Sequence, residues 1–184
     1  MKKIVFILLT ITSLYSFQYN AKFYMGLGGG YQNESFAGDY SDIDNSPYFG
    51  AIKFGYGDIR AYNVEIVINY IDNQSKIFSN DDSDKYGMDI MFTKALNLSK
   101  YIYPYARAGM GAGEMKVDRE FEDKITYSSY NIGLGAYIPL VAGMEFEINY
   151  EYRYTSYKAV DFINDKLELE SHVNQVYMGV NYRF

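Results

Sequence analysis

The sequence predicts an all-β protein, an eight-stranded antiparallel up-and-down transmembrane β-barrel. The first observation is a set of eight stretches of about 9 to 12 residues in which apolar side chains occupy every second position. Strands of that length cross a bilayer at a tilt. The second is a rhythm of connections that alternates long with short. The third is a composition with 22 Tyr, 12 Phe and 16 Gly but no Trp, which suits strands that meet a membrane interface.

The chain begins with the pattern of a secretory signal peptide. Lys2 and Lys3 precede a short apolar run at residues 4–11, and small residues follow up to Ser16. The apolar run is too short to cross a bilayer as a helix, which takes roughly 20 residues. We therefore predict a signal peptide at residues 1–16 and one barrel domain at residues 17–184.

Composition excludes several function classes. Without its first 16 residues the chain has 15 basic and 23 acidic residues, and this acidic balance argues against a nucleic-acid partner. The absence of cysteine excludes disulfides and thiolate zinc sites. No later stretch approaches 18 uninterrupted apolar residues, which excludes a helical membrane protein. No cofactor is expected.

Four strands are predicted in the first half of the chain, at residues 22–32, 48–56, 62–70 and 86–93. Each has an apolar face and a face of polar or small residues, because side chains alternate along a strand. Their connections are a polar loop at 33–45, a tight turn at 57–60, a polar loop at 72–85 and a short link at 96–100. The GLGGG run at residues 26–30 lies in a strand with no helix after it, so it does not predict a phosphate-binding loop.

Four more strands are predicted at residues 103–113, 130–138, 144–154 and 175–184. The clearest is 144–154, MEFEINYEYRY, which places its charged residues on one face only. Charged loops at 114–124 and 155–171 and a turn at 139–143 separate these strands, and a short helical turn is expected near residues 165–169.

One alternating face collects nearly all the charge of the strands. Its members are Lys53, Glu65, Asp89, Arg107, Glu145, Glu147, Glu151, Arg153 and Arg183. The same face holds the glycines, and its basic and acidic groups could pair across a narrow lumen, so we predict a structural ion-pair network inside the barrel. Proton or ion conduction is the alternative role. A water-soluble lipocalin-like barrel or β-sandwich, with the two faces reversed, stays open at this point.

The last predicted strand, QVYMGVNYRF, places Val176, Met178, Val180, Tyr182 and Phe184 on its apolar face. With the signal peptide and the eight strands, it resembles the closing strand of small outer-membrane barrels typified by the transmembrane domain of outer-membrane protein A and by opacity-type surface proteins. The resemblance implies a monomer in the bacterial outer membrane, with periplasmic termini, extracellular long loops, and contacts with membrane lipids and lipopolysaccharide. It also implies that Val180, Tyr182 and Phe184 form the signal for the barrel-assembly machinery.

The four predicted long loops hold 17 acidic and 7 basic residues, so function beyond the mechanical is expected there. The prediction is an envelope-structural or surface-interaction role without catalysis, and an adhesin or ligand-binding surface protein is the alternative. A calcium loop at residues 80–84 is disfavoured because it lacks the required glycine. A lipid A-modifying enzyme would need Ser171 and His172 to converge, and neighbours on a strand face opposite ways.

Overall fold

The computed structural model describes residues 19–37, 44–72, 84–116, 124–157, 160–162, 165–167 and 169–184. The predicted signal peptide lies outside these residues. Eight long strands form the body of the protein: β1 Lys22–Phe36, β2 Tyr48–Gly57, β3 Tyr62–Ile71, β4 Lys85–Ala95, β5 Tyr103–Lys116, β6 Lys124–Pro139, β7 Met144–Tyr157 and β8 Glu170–Arg183. Within the described part of the chain, no helix is long and apolar enough to span a membrane.

The sheet closes on itself. Each strand pairs antiparallel with the next one along the chain, and β1 pairs with β8 from Tyr24 opposite Arg183 to Phe36 opposite Ser171. Closure leaves neither edge of the sheet unpaired, so the backbone hydrogen bonds of the wall are satisfied within the protein. The predicted eight-stranded antiparallel up-and-down barrel is confirmed.

The apolar face of every strand points away from the barrel. Two bands of aromatic side chains border this apolar wall, and on β1 they are eight positions apart, at Phe23 and Tyr31. Tyr48 and Tyr56 on β2, and Tyr62 and Tyr70 on β3, repeat the spacing. Eight residues span about 26 Å along a strand, or about 20 Å of height at the tilt usual in barrels. That height is close to the apolar band of outer-membrane barrels.

Several strands are longer than predicted at the end that carries the long loops. β1 continues to Phe36, β6 begins at Lys124, and β8 begins at Glu170. At this end the strands stay paired through their backbones although the outward side chains are polar, for example where Glu114 lies opposite Thr126. Because strand pairing needs only backbone hydrogen-bond partners, the change to polar side chains does not coincide with the ends of the strands. β5 ends at Lys116 and β6 begins at Lys124, so the predicted loop boundaries at residues 114 and 124 lie within strands.

The helical turn expected near residues 165–169 is wrong. Val160–Phe162 pairs antiparallel with Asp165–Leu167 as a short two-stranded ribbon. Pairing between these two segments supplies backbone hydrogen bonds, and a single helical turn is disfavoured because so short a helix forms poorly by itself. A third short strand, Asp44–Asn45, pairs with β1 at Glu34 and Ser35.

The interior has three apolar layers separated by polar ones. The layer at the loop end contains Phe36, Met115, Ile125, Tyr127, Tyr157 and Leu169. The middle layer contains Phe49, Ala51, Val67, Ile71, Met91 and Tyr177. The layer at the turn end contains Ala95, Tyr103, Tyr105 and Tyr137. The inward positions between and beyond these clusters hold the buried polar and charged side chains.

Candidate functional site

The nine charged residues predicted to share one face all point into the barrel. Each is at most 8% exposed, and Lys53 and Glu147 are at 0%. Alternation along the strands brings them there, since the opposite positions carry the exposed apolar wall. The arrangement is the reverse of a water-soluble barrel, which keeps its charges outside.

Glu147, on β7, is the centre of the largest group. Both of its carboxylate oxygens accept hydrogen bonds from the Lys53 ammonium at 2.9 Å. The Tyr105 hydroxyl donates to it at 2.6 Å, and the Asn181 amide at 3.0 Å. Four separate strands, β2, β5, β7 and β8, therefore contribute to one carboxylate. Full burial with several donors is the condition under which a buried ion is tolerated.

Arg107 links the group around Glu147 to a second group that contains Glu65 and Glu151. Its guanidinium contacts Glu151 at 2.5 Å and Glu65 at 3.2 Å. Glu65 in turn accepts a hydrogen bond from the Tyr24 hydroxyl at 2.8 Å, and Glu151 accepts one from the Gln175 amide at 2.8 Å. A single arginine thereby bridges carboxylates on two different walls of the barrel.

Asp89 and Arg153 form the next pair toward the loop end, with Arg153 Nη2 at 2.8 Å from Asp89 Oδ2. Asn69 also donates to Asp89. Two small cavities adjoin Arg153, one of them also lined by Asp89, and each has a volume of about 10 Å³. That volume accommodates about one water molecule. Arg153 lines both of them.

Arg183 closes the turn end of the lumen. It pairs with Glu145, and its guanidinium donates to the Gly57 carbonyl at 2.9 Å and to the Asn63 side chain at 3.0 Å. The same guanidinium lies 4.2 Å from the centre of the Tyr24 ring. One side chain of the last strand is thereby anchored to β2, β3 and β7.

The sequence did not indicate a further buried cluster at the loop end. Lys85 Nζ donates at 2.6 Å to both Glu34 and the Tyr157 hydroxyl, and Ser171 Oγ donates to Glu34 at 2.7 Å. Glu34 and Lys85 were assigned to loops because their neighbours are polar. Continued alternation past residue 32 was the signal that could have placed Glu34 on the inner face.

The residues considered for catalysis do not converge. Ser171 is 0% exposed and faces the lumen, whereas His172 lies on the outer wall, where its Nδ1 is 2.5 Å from the Tyr152 hydroxyl. Among the residues that the structure describes, no group of three or more His, Asp or Glu is arranged to hold a metal ion. Most of the acidic stretch at residues 80–84 lies outside those residues.

The turn between β2 and β3 holds a charged pair outside the apolar wall. Arg60 donates to Asp58 through its side chain at 3.0 Å and through its backbone amide at 2.9 Å, and the Asn20 amide also donates to Asp58. Burial raises the pKa of Asp58, but these hydrogen bonds together outweigh burial and lower its pKa below the usual range. The segment before β1 is thereby fastened to the first turn.

Val180, Tyr182 and Phe184 lie on the outer wall, 39%, 45% and 62% exposed. The Phe184 amide donates to the Phe23 carbonyl at 3.0 Å, and the rings of Tyr182 and Phe184 meet edge to face at 5.2 Å. The three side chains form one exposed apolar row at the end of β8. Their predicted role in assembly stays a prediction.

Comparison with known proteins agrees with this geometry. A family model described as outer membrane protein beta-barrel domain matches residues 4–184. Neisserial surface protein A has a similar solved structure, at 15% identity and a TM-score of 0.67, with 90% of this chain and 99% of that chain covered. Ail, the attachment invasion locus protein of Yersinia pestis, is similar at 16% identity and a TM-score of 0.52, over 89% of this chain and 99% of that one.

The N-terminal β-barrel domain of Pseudomonas aeruginosa OprF is also similar, at 11% identity and a TM-score of 0.51, over 90% of this chain and all of that domain. At these identities the likeness concerns the fold. No curated protein sequence matches the chain significantly.

Proposed function

Because the chain belongs to the outer membrane protein β-barrel domain family, and so to the bacterial outer membrane, we propose that it is an envelope-structural barrel. Its lumen is filled by paired polar side chains, and its contacts with the surroundings are made by acidic loops. We further propose that it works as a monomer, without a cofactor.

The buried ion-pair network carries this proposal. Lys53, Lys85, Arg107, Arg153 and Arg183 each lie within hydrogen-bond distance of a buried carboxylate inside the barrel. Charges paired in this way link strands on opposite sides of the barrel and do not line a water-filled pore. An eight-stranded barrel is also just wide enough for side chains to fill it. Both points favour a structural role over ion or proton conduction.

The proposed orientation places both termini in the periplasm and the long loops outside the cell. It follows from the signal peptide proposed at residues 1–16 and from the even number of strands, which returns the chain to the side on which it began. The outer wall would then contact membrane lipids, and the loops would lie beside lipopolysaccharide. Val180, Tyr182 and Phe184 would be available to the barrel-assembly machinery before insertion.

The test compares boiled and unboiled outer-membrane samples on a gel, for the full chain and for a deletion of Phe184. We expect a shifted, protease-resistant unboiled band for the full chain and less of that band for the deletion. Planar-bilayer recording of the purified barrel completes the test. A single unshifted band in the periplasmic fraction would refute the barrel in the membrane, and steady conductance would refute the filled lumen.

Adhesion is the second candidate, and the charge of the predicted loops supports it, because they hold 17 acidic and 7 basic residues. A similar structure is that of Ail in complex with the heparin analogue sucrose octasulfate. Acidic loops suit a basic ligand better than such a polyanion. Replacing residues 38–43 by a Gly-Ser linker spares β1 and Asp44–Asn45. Loss of cell binding with an intact heat-modifiable barrel would favour adhesion, whereas unchanged binding would favour the structural role.

We also propose that the chain has no lipid A-modifying activity. The support is the geometry of Ser171 and His172, which lie on opposite sides of the wall. Expression of the chain should leave the mass of lipid A unchanged. Loss of an acyl chain that the His172→Ala variant restores would refute this proposal.

A further inference from the structure

The end of the barrel that carries the short turns has a rim of exposed positive charge. We propose that this rim binds the headgroups of anionic phospholipids through Lys94 and Lys100. The inference rests on the membrane placement proposed above. It adds a lipid class and the side chains that select it. The turn-side rim comprises residues 19–22, 58–62, 94–102, 139–145 and 183–184.

The rim is basic because its acidic side chains are buried and paired. Asp58 is 3% exposed and bound to Arg60, and Glu145 is 2% exposed and bound to Arg183. The remaining charged side chains of the rim are Lys22, Lys94 and Lys100. Lys22 and Lys100 are exposed, and Lys94 is half-exposed. No acidic side chain of the rim is therefore left to neutralise these three lysines.

Lys94 and Lys100 each lie close to an exposed aromatic ring at the turn end of the barrel. The Lys94 ammonium lies 3.7 Å from the centre of the Tyr62 ring, in the turn-side aromatic band. The Lys100 ammonium lies 5.0 Å from the centre of the Tyr101 ring, which is 70% exposed. An ammonium held over an outward ring at the border of the apolar wall lies at the depth of lipid phosphates.

The turns beside these lysines are apolar. Leu98 and Val141 are 75% and 74% exposed, and Leu96, Ile102 and Leu140 of the same two turns are exposed as well. These positions continue the lipid-facing wall of β4 to β7 past the aromatic band. Apolar tips interleaved with lysines are typical of surfaces that sink into the headgroup boundary. A binding site for a periplasmic protein would not require apolar turns that extend the lipid-facing surface, so this feature favours a lipid ligand.

The loop end offers a matched control. Lys116 and Lys124 are both exposed, lie opposite each other on the outer wall, and Lys116 is 5.3 Å from the centre of the Tyr86 ring. Here, however, Glu114 contacts Lys124 at 2.7 Å. The double variants Lys94→Gln/Lys100→Gln and Lys116→Gln/Lys124→Gln remove equal charge from opposite ends.

The experiment reconstitutes the full mature chain in phosphatidylcholine vesicles with trace spin-labelled phosphatidylglycerol or phosphatidylcholine. Electron paramagnetic resonance then measures the motionally restricted fraction of each label. We expect the wild type to prefer phosphatidylglycerol by about fivefold per engaged lysine at low salt, with the preference weakening as salt screens it. Lys94→Gln/Lys100→Gln should lose most of the preference, and Lys116→Gln/Lys124→Gln should keep it. Both headgroups reach both ends in these vesicles, so the result does not depend on orientation.

Equal restriction of the two labels by the wild type would overturn the inference, as would an equal loss in both double variants. The heat-modifiable gel band, measured on the same samples, separates this result from the proposed function. A chain that forms no such band refutes the barrel itself. A barrel that forms and shows no lipid preference refutes only the basic rim as a phospholipid site.

Discussion

Glu147 is the carboxylate on which the lumen network depends most, and Glu147→Gln tests that dependence. The substitution keeps the shape of the side chain and removes its charge. It leaves the Lys53 ammonium, whose two hydrogen bonds to Glu147 are 2.9 Å long, without its anion in a site that is 0% exposed. The short hydrogen bond from the Tyr105 hydroxyl loses its charged acceptor as well.

Removing one partner of a fully buried ion pair costs about 3–5 kcal/mol of unfolding free energy. We expect Glu147→Gln to fall in that range, because both Lys53 and Glu147 are completely enclosed. The control is Glu114→Gln, the same chemical change in the Glu114–Lys124 pair, where the two side chains are 38% and 54% exposed. Water and salt screen that pair, so we expect a loss below about 1 kcal/mol.

Urea titration of the barrel in phospholipid vesicles, followed by circular dichroism and by the gel shift, measures both changes. The double variant Lys53→Met/Glu147→Gln removes both charges, and we expect it to cost about 1–3 kcal/mol less than the sum of its two single variants. If Glu147→Gln unfolds within about 1 kcal/mol of wild type, as Glu114→Gln should, the reasoning about the buried network is refuted.

Three further predictions concern the wall and the first turn. Ile148→Lys places a charge on the lipid-facing side of β7 and should lower the unfolding free energy by about 2–4 kcal/mol in the same titration. Thr126→Lys, beyond the aromatic band, is the control and should lower it by at most about 1 kcal/mol. Equal losses in the two variants would contradict the proposed membrane depth. Gly28→Ala should destabilise the barrel by about 1–3 kcal/mol, because its methyl group would overlap the Tyr177 hydroxyl and the Met178 backbone carbonyl. Gly50→Ala meets nothing within 4 Å and should be tolerated, and similar urea midpoints for the two variants would refute the close packing. Because the pKa of Asp58 is lowered in the folded state, its ionised carboxylate contributes to stability at any pH above the ordinary carboxyl pKa of about 4. That contribution should be lost as the pH falls through the lowered pKa. Asp58→Asn should remove this part of the pH dependence of the urea midpoint, and an unchanged acid limb in the variant would count against it.

The sequence predicted the barrel well because one physical rule governs most of it. A wall with lipid on one side and a narrow lumen on the other imposes strict alternation, and Met144–Tyr157 shows that alternation without a break. The inward positions of Lys53, Glu147 and Arg183 followed from the same rule. The pairing of these residues did not follow, because Lys53 and Glu147 are 94 positions apart and on strands that are not neighbours.

The loop end was predicted less well because the rule weakens there. Beyond the aromatic band the outer face meets water, so polar residues such as Thr126 and Ser128 stand where apolar ones stood before. The ladder continues beneath them, and Glu34 and Lys85 still face inward. The pattern of the outer face alone therefore predicted several strands too short at this end, among them β1, β6 and β8. The inner face, with Phe36, Met115 and Ile125, kept the period of two that marks a strand.

The carboxylate of Glu147 draws its partners from strands that are far apart in the chain, and this has a consequence for how the barrel assembles. A single hairpin of β7 and β8 contributes Asn181 to that carboxylate but neither Lys53 nor Tyr105. Such a hairpin, inserted alone, would carry an uncompensated charge into hydrocarbon at a cost of several kcal/mol. Hairpins that enter one at a time are therefore poor intermediates. Insertion into the membrane and closure of the barrel should therefore occur as one cooperative step. A chain that lacks one of the strands contributing to this carboxylate should remain outside the bilayer.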